Sequence, residues 1–477
     1  MIQKLYTSKY LEAIVSFIVL LPVTISFILN PLTNDARIYQ ALAKITDYFG
    51  AFPQNIDLTY EVKPIGNRFM NYFLYKATSF FTTFQSLEYE TLFKIFAAVI
   101  VLLICYYFSR KVDKKYIFLI TAMAFLTPLN FVTLQPDWWA SLFAFLALSL
   151  FLTEKQSNHY LAGAIITVIF LFKGATIFLV IPIACALYFF KKDYFKRLLL
   201  GGAGSVVSLL AILFCGYFPN IIPDMLLSPR IARVGLLDIP TMILAFTYNM
   251  VNLWFYIPVM VSGFVCAYWV YNRYMKNKEG MNAVMFILMW IGAAMGAFIQ
   301  SEFFIYMYVA LILPAIITII LYGEHDIIKY AIAVTFIFFI ICSSYWGVGM
   351  RVERDFYGNQ WEKANIVKEQ IPDLIHQDTI LYIDSGVAPY YFPSNSSCRY
   401  VQPMPFQRNN LKWNLTDAYQ YQEEYVCIMN YTGKYIIEDN GPWFKEDTPD
   451  MKVVRNKLNT EYDLISTDSW SIYRRII

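Results

Sequence analysis

Charge is what this 477-residue sequence has least of: Asp, Glu, Lys and Arg make up 15% of it, against about 25% in an average globular domain. So few charges cannot clothe a soluble surface of this size, which excludes a soluble multidomain enzyme. The formal net charge is +3, which excludes a polyelectrolyte and leaves no nucleic acid among the expected partners. Histidine is scarce, at 3 residues, and the 7 cysteines form no C-x-x-C pair. With no H-E-x-x-H either, a structural zinc site is not expected. No internal repeat of fixed period and no low-complexity run is present. Apolar residues, by contrast, reach 58%, and 40 Phe, 37 Tyr and 10 Trp exclude disorder. These proportions point to an integral membrane protein with many spans.

A bilayer-crossing helix needs roughly 20 mostly apolar residues. Eleven stretches are candidates: 11–29, 92–109, 116–134, 138–153, 160–172, 174–190, 198–216, 250–271, 281–299, 303–322 and 328–346. The fifth and sixth are short and read as a pair meeting at Lys173. Fifteen Lys and Arg residues lie at one set of ends, against Lys173, Arg230 and Arg233 in the short opposite loops. The positive-inside bias then puts the N-terminus in the cytoplasm and, with an odd number of spans, the C-terminus outside. The expected location is the plasma (inner) membrane, with many passes. A charged stretch follows the first span, which argues against a cleaved signal peptide.

Two outward segments are too long to be connectors. Residues 30–91 form a first outer loop within a membrane domain spanning 1–346. Residues 347–477 have the size of a small exoplasmic domain. In this tail, Trp361, Ala364, Val367 and Ile371 recur at helical spacing before Pro372. Thr379–Asp384, Lys434–Glu438 and Trp470–Tyr473 read as strands, so the tail is expected to be mixed α/β. Its two cysteines, Cys398 and Cys427, suit a disulfide in an oxidising compartment and two free thiols equally.

The first outer loop carries the chemistry. Thr33 or Asn34 can cap a helix that Gly50 ends, and Ile38, Leu42, Ile45 and Phe49 fall on one stripe. This predicts an amphipathic helix at the membrane surface. Asp35 sits in its first turn, where the helix dipole favours a carboxylate; the same position also suits a plain helix-stabilising charge. Residues 57–84 predict a second interfacial helix, with Phe69, Tyr72, Phe73, Phe80 and Phe84 on a face that Arg68, Asn71 and Lys76 interrupt. Arg37, Lys63, Arg68, Lys173, Arg230 and Arg233 are cations on the outer side, against the usual bias. They ask for anionic partners: a lipid-linked phosphate, ordinary headgroups or nearby carboxylates. Asp137, after Gln135-Pro136, and Glu302, in Gln300–Tyr306, lie at other outer turns. Asp35, Asp137 and Glu302 offer oxygen ligands of the kind a divalent cation takes, and equally suit ion pairs with lysines.

Taken in chain order, these features resemble the GT-C superfamily of membrane glycosyltransferases. The nearer likeness is to the branch of protein O-mannosyltransferases and lipid A aminoarabinose transferases. The residues that carry the resemblance are Asn34-Asp35-Ala36-Arg37-Ile38-Tyr39, Glu61-Val62-Lys63-Pro64, Gln135-Pro136-Asp137, Phe172-Lys173-Gly174 and Tyr306 to Pro314. Ala36 stands where the family often has a second acidic residue, Ile65 where a second proline is frequent, and Met307-Tyr308 in place of a His-Tyr. The resemblance implies a polytopic α-helical membrane protein of about 11 spans, GT-C type, with a small C-terminal exoplasmic α/β domain. It also implies an inverting transferase that takes a sugar from a polyprenyl-phosphate donor and passes it to an acceptor hydroxyl on a glycan, lipid or protein in cell-envelope glycan biosynthesis. In that scheme Asp35 is the base, and Lys63, Lys173, Arg230, Arg233 and Arg68 hold the donor phosphate. Asp137 and Glu302 are further carboxylates of the site, a divalent cation is an open cofactor, and membrane lipids are partners. The alternative is a transporter or lipid-linked sugar flippase. Transporters usually show internal repeats and polar groups near the midplane, whereas here the polar residues gather at the outer ends.

Overall fold

The computed structural model describes residues 9–30, 32, 34–48, 65–84, 87–126, 134–172, 177–214, 279–299, 309–322, 361–376, 379–383, 388–392, 394–396, 398, 419–439, 449–466 and 470–476, with isolated positions 240, 268 and 272. They are mostly helical. In order the helices are α1 (Lys9–Leu29), α2 (Asn34–Tyr48), α3 (Ile65–Ser79), α4 (Leu87–Val112), α5 (Lys115–Leu126), α6 (Pro136–Phe151), α7 (Gln156–Ile169), α8 (Ile177–Lys191), α9 (Phe195–Phe214), α10 (Gly280–Ile299) and α11 (Ile312–Tyr322). Nine of the expected spans thus overlap described helix, while 328–346 and all of 250–271 except position 268 fall outside the described residues. Among the described helices one, Glu88–Val112, is long and apolar enough to cross a membrane. Ile18–Leu29, Tyr116–Leu126, Pro136–Phe151, Gly280–Gly296 and Val309–Tyr322 are apolar but shorter.

These helices share one apolar core around Phe93, Val101, Phe125, Trp138, Phe145 and Ile316. Small residues let the backbones close up, as helix pairs without a hydrophobic driving force require. Gly163 on α7 faces the Leu198 carbonyl of α9, and Gly201 on α9 faces Tyr160 of α7, so a Cβ at either would overlap backbone. Gly292 and Gly296 on α10 admit Ile181 and Phe178 of α8 in the same way, with a Cβ 2.8 Å from each side chain.

The C-terminal part is mixed α/β, as its periodicity predicts. Helix α12 (361–370) precedes β1 (Thr379–Ile383), and α13 (Ala388–Tyr391) precedes β2 (Asn395–Ser396). Then come α14 (Tyr419–Asn430), β3 (Tyr435–Asp439), α15 (Pro449–Glu461), β4 (Tyr462–Ser466) and β5 (Trp470–Arg475). The sheet order is β2-β1-β3-β5-β4. β1 runs parallel to β2 and β3, and β5 antiparallel to β3 and β4, with a register shift between Leu464 and Ser466. Alternation along β1 sends Ile380 and Tyr382 to one face and Leu381 and Ile383 to the other. Cys398 and Cys427 form a disulfide.

The two faces are covered from different parts of the chain. Met451, Val454 and Leu458 of α15 and Tyr421 and Ile428 of α14 cover one. Ala364 and Val367 of α12 cover the other, together with Ile38, Tyr39, Leu42 and Ile45 of α2. The stripe on α2 that reads as a membrane-surface face is therefore covered by protein. Spacing marks the apolar side of a helix, but it does not separate lipid from a sheet as the partner.

Candidate functional site

Asp35 is the second residue of α2, in its first turn. Its side chain lies outside the described residues, as do Lys63, Lys173, Arg230, Arg233 and Glu302. Of the nominated residues, Arg68 and Asp137 have described side chains, 6% and 3% exposed. Arg68 belongs to the first turns of α3, and Asp137 follows Pro136 at the start of α6.

The described backbone joins the neighbourhoods of the two key lysines. The Gly66 N–H donates to the Leu171 carbonyl at 2.8 Å. Gly66 is three residues beyond Lys63, and Leu171 two before Lys173. Only glycine suits this crossing: a Cβ at 66 would stand 2.9 Å from the Leu171 carbonyl carbon and 3.0 Å from the Phe172 nitrogen. Next to it Asn67 is fully buried, and neither polar atom of its side-chain amide has a hydrogen-bond partner among the described residues. Phe172 packs on Phe143 of α6, ring centroids 5.4 Å apart, and α3 itself touches α6. The helix of Arg68, the helix of Asp137 and chain close to Lys63 and Lys173 thus meet at one place.

A second cluster was invisible from spacing. Arg37, 1% exposed, donates from Nε to Glu90 Oε1 at 3.2 Å, and the Tyr390 hydroxyl donates to the same oxygen at 2.9 Å. The guanidinium lies 5.8 and 5.7 Å from the ring centroids of Tyr390 and Tyr391. Burial works against the Arg37 charge, but Glu90 and the two tyrosines outweigh it and hold the guanidinium more firmly charged than in water. Of the alternatives open to Arg37, a nearby carboxylate is the one realised. One turn along α2, Gln40 donates to Asn71 Oδ1 at 2.8 Å and accepts from the Tyr89 hydroxyl. Asn71 donates in turn to the Asn67 carbonyl at 2.8 Å. A polar chain thus runs from α2 through α3 to the residue beside Gly66. The one sequence signal for this cluster is Glu90 at the start of a span, four residues before Lys94.

Among the described residues no group of three or more His, Cys, Asp or Glu side chains could hold a metal ion. The side chains of Asp35 and Glu302 lie outside that set.

No family model matches the chain, and no curated protein matches it. The crystal structure of the Archaeoglobus fulgidus oligosaccharyltransferase, in complex with Zn and sulfate, is similar to it at a TM-score of 0.45 and 13% sequence identity. That similarity covers 96% of this chain and 73% of the archaeal one. At such a distance it carries no argument about function.

Proposed function

We propose that this chain is an inverting glycosyltransferase that moves a sugar from a polyprenyl-phosphate donor to an acceptor hydroxyl at the outer face of the plasma membrane. The observation that carries the reading is the hydrogen bond from Gly66 to Leu171. It ties the chain three residues beyond Lys63 to the chain two residues before Lys173, two cations that a shared anionic ligand would suit. The buried amide of Asn67 beside this crossing, unpartnered among the described residues, adds polar capacity where a sugar or phosphate would lie. Phe80 and Phe81, 84% and 67% exposed at the end of α3, suit contact with lipid.

In this mechanism the acceptor oxygen attacks the anomeric carbon from the face opposite the phosphate. The new C–O bond forms as the bond to the phosphate oxygen breaks, and the electron pair leaves with the phosphate. Asp35 takes the acceptor's proton, a role worth typically about 10²–10⁴-fold. Lys63, Lys173, Arg68, Arg230 and Arg233 stabilise charge that grows on the leaving phosphate, so they act on the transition state more than on the ground state. The α/β tail would select the acceptor.

The test is transfer from a polyprenyl-phosphate sugar in reconstituted membranes. Asp35→Asn is expected to abolish transfer with donor binding intact, and Lys63→Ala or Lys173→Ala to weaken donor binding. Gly66→Ala, which leaves every charge in place, is expected to lower transfer by displacing the Leu171 backbone. Full transfer by Asp35→Asn rejects the base. Solute uptake into proteoliposomes without any donor would replace the whole reading with a transporter.

A further inference from the structure

α2 carries a second cation at the seam with the tail, Lys44, half-buried two turns beyond Arg37. Its ammonium sits 4.9 Å from the centroid of the Phe84 ring. Across the seam, Lys368 of α12 is also half-buried, 5.8 Å from the Trp361 ring and 6.0 Å from Phe392. Phe84 and Trp361 both pack on Tyr390, at 5.4 and 5.5 Å, so one aromatic wall runs between the two lysines.

Neither lysine has an ion pair or hydrogen bond among the described residues. The carboxylates nearest in sequence are engaged or point away. Asp47 binds Lys76 at 2.7 Å and the Tyr72 hydroxyl at 3.2 Å, and Glu362 and Glu369 are on the exposed side of α12. The indole nitrogen of Trp361 is buried and has no acceptor among the described residues. Burial and the charge of Lys368 push the Lys44 ammonium down to about 8, and burial lowers Lys368 as well. Three donors along one aromatic wall thus lack an acceptor among the described residues, and the two charged ones repel each other.

We propose that Lys44, Lys368 and the Trp361 indole N–H form a binding site for a phosphate-class dianion at the seam between α2 and α12. A dianion meets two positive charges, and its several oxygens can accept from both ammonium groups and the indole. Lysine is a point-charge phosphate ligand, and the aromatic wall lowers the local dielectric and strengthens each contact. This site stands apart from the proposed catalytic role of Asp35 and does not rest on it. The phosphate belongs either to a lipid headgroup or to a soluble or glycan-borne group.

The test titrates inorganic phosphate against the full chain in neutral detergent at constant ionic strength, read as thermal midpoint and as heat of binding. Phosphate is expected to raise the midpoint. Lys44→Met and Lys368→Met should each weaken binding about tenfold, the loss of one charge-assisted hydrogen bond. Trp361→Phe should weaken it about threefold, and Lys44→Arg should restore most of it. Exposed Lys192→Met is the control and should change nothing. The Lys63→Ala/Lys173→Ala double variant removes two of the proposed donor-phosphate cations and should keep the part of the phosphate shift that depends on Lys44 and Lys368, which separates this site from the transfer reaction. Bilayers of phosphatidylcholine with and without phosphatidic acid then identify the source: competition with inorganic phosphate assigns a lipid headgroup, and its absence a soluble or glycan phosphate. No phosphate-dependent shift, or the same shift in the Lys44→Met/Lys368→Met double variant, overturns the site.

Discussion

Arg37 and Lys44 lie two turns apart on α2, and both reach the seam with the C-terminal part, yet their surroundings treat positive charge in opposite ways. Arg37 is 1% exposed and is neutralised within the chain by Glu90, itself held by Tyr390. Lys44 is more open but faces another cation, and burial with that neighbour pushes it down to about 8. Burial alone therefore does not decide whether a charge is tolerated; the sign of the nearest neighbour does. The first pair closes the seam, and the second leaves it dependent on an anion from outside.

Removing Glu90 should break the comparison most severely. Glu90→Gln leaves the Arg37 guanidinium buried and uncompensated, a loss of about 3–5 kcal/mol, visible as a large fall in thermal midpoint of the solubilised protein. A fall of less than about 1 kcal/mol would mean that water reaches Arg37. Tyr390→Phe removes one hydrogen bond to a charged acceptor and should cost about 1.5–3 kcal/mol. In a cycle with Glu90→Gln the two losses should not add, because they share one partner.

Lys44→Met should act in the opposite direction. In the fold the ammonium form is disfavoured, so the penalty is fully present below about 8, shrinks as pH rises toward the ordinary lysine value of 10.5, and vanishes above it. In phosphate-free buffer the variant should be about 1 kcal/mol more stable at neutral pH, allowing for screening. The parent should gain on it between pH 8 and 10.5. A variant less stable than the parent at pH 7 would refute the repulsion. Least of all, Lys76→Met should change stability by less than about 0.5 kcal/mol, since the Lys76–Asp47 pair is solvent-exposed. The effect should fade further in high salt.

What was legible in the sequence was what repeats locally. The stripe Ile38, Leu42, Ile45 marks α2, the alternation Ile380 to Ile383 marks β1, and the interrupted aromatic face after Arg68 marks α3. Elements with weaker patterns are not legible: α14 is mostly polar at its start, and β4 does not alternate, its consecutive Asp463 and Leu464 both being exposed. The stripe on α2 was legible, its partner was not, since Ala364 and Tyr382 are more than three hundred residues away. Fifty-three residues separate Glu90 from Arg37, and more than three hundred separate Lys368 from Lys44. Such pairs have no period, and only folding makes them neighbours. The proposed donor site shows the reverse case. Asp35 and Lys173 are nominated from residue type and position, and the Gly66–Leu171 contact, two residues before Lys173, is a backbone approach no side-chain pattern encodes.

That α2 completes the core of the sheet has a consequence for anyone dividing the gene. Severing the polypeptide near residue 347 would strip Ile38, Tyr39, Leu42 and Ile45 from Trp470, Ile472 and Tyr391. The excised C-terminal part would then offer a sticky oily floor to solvent. Fusing the 34–48 peptide back through a flexible tether is the simplest way to make that fragment behave.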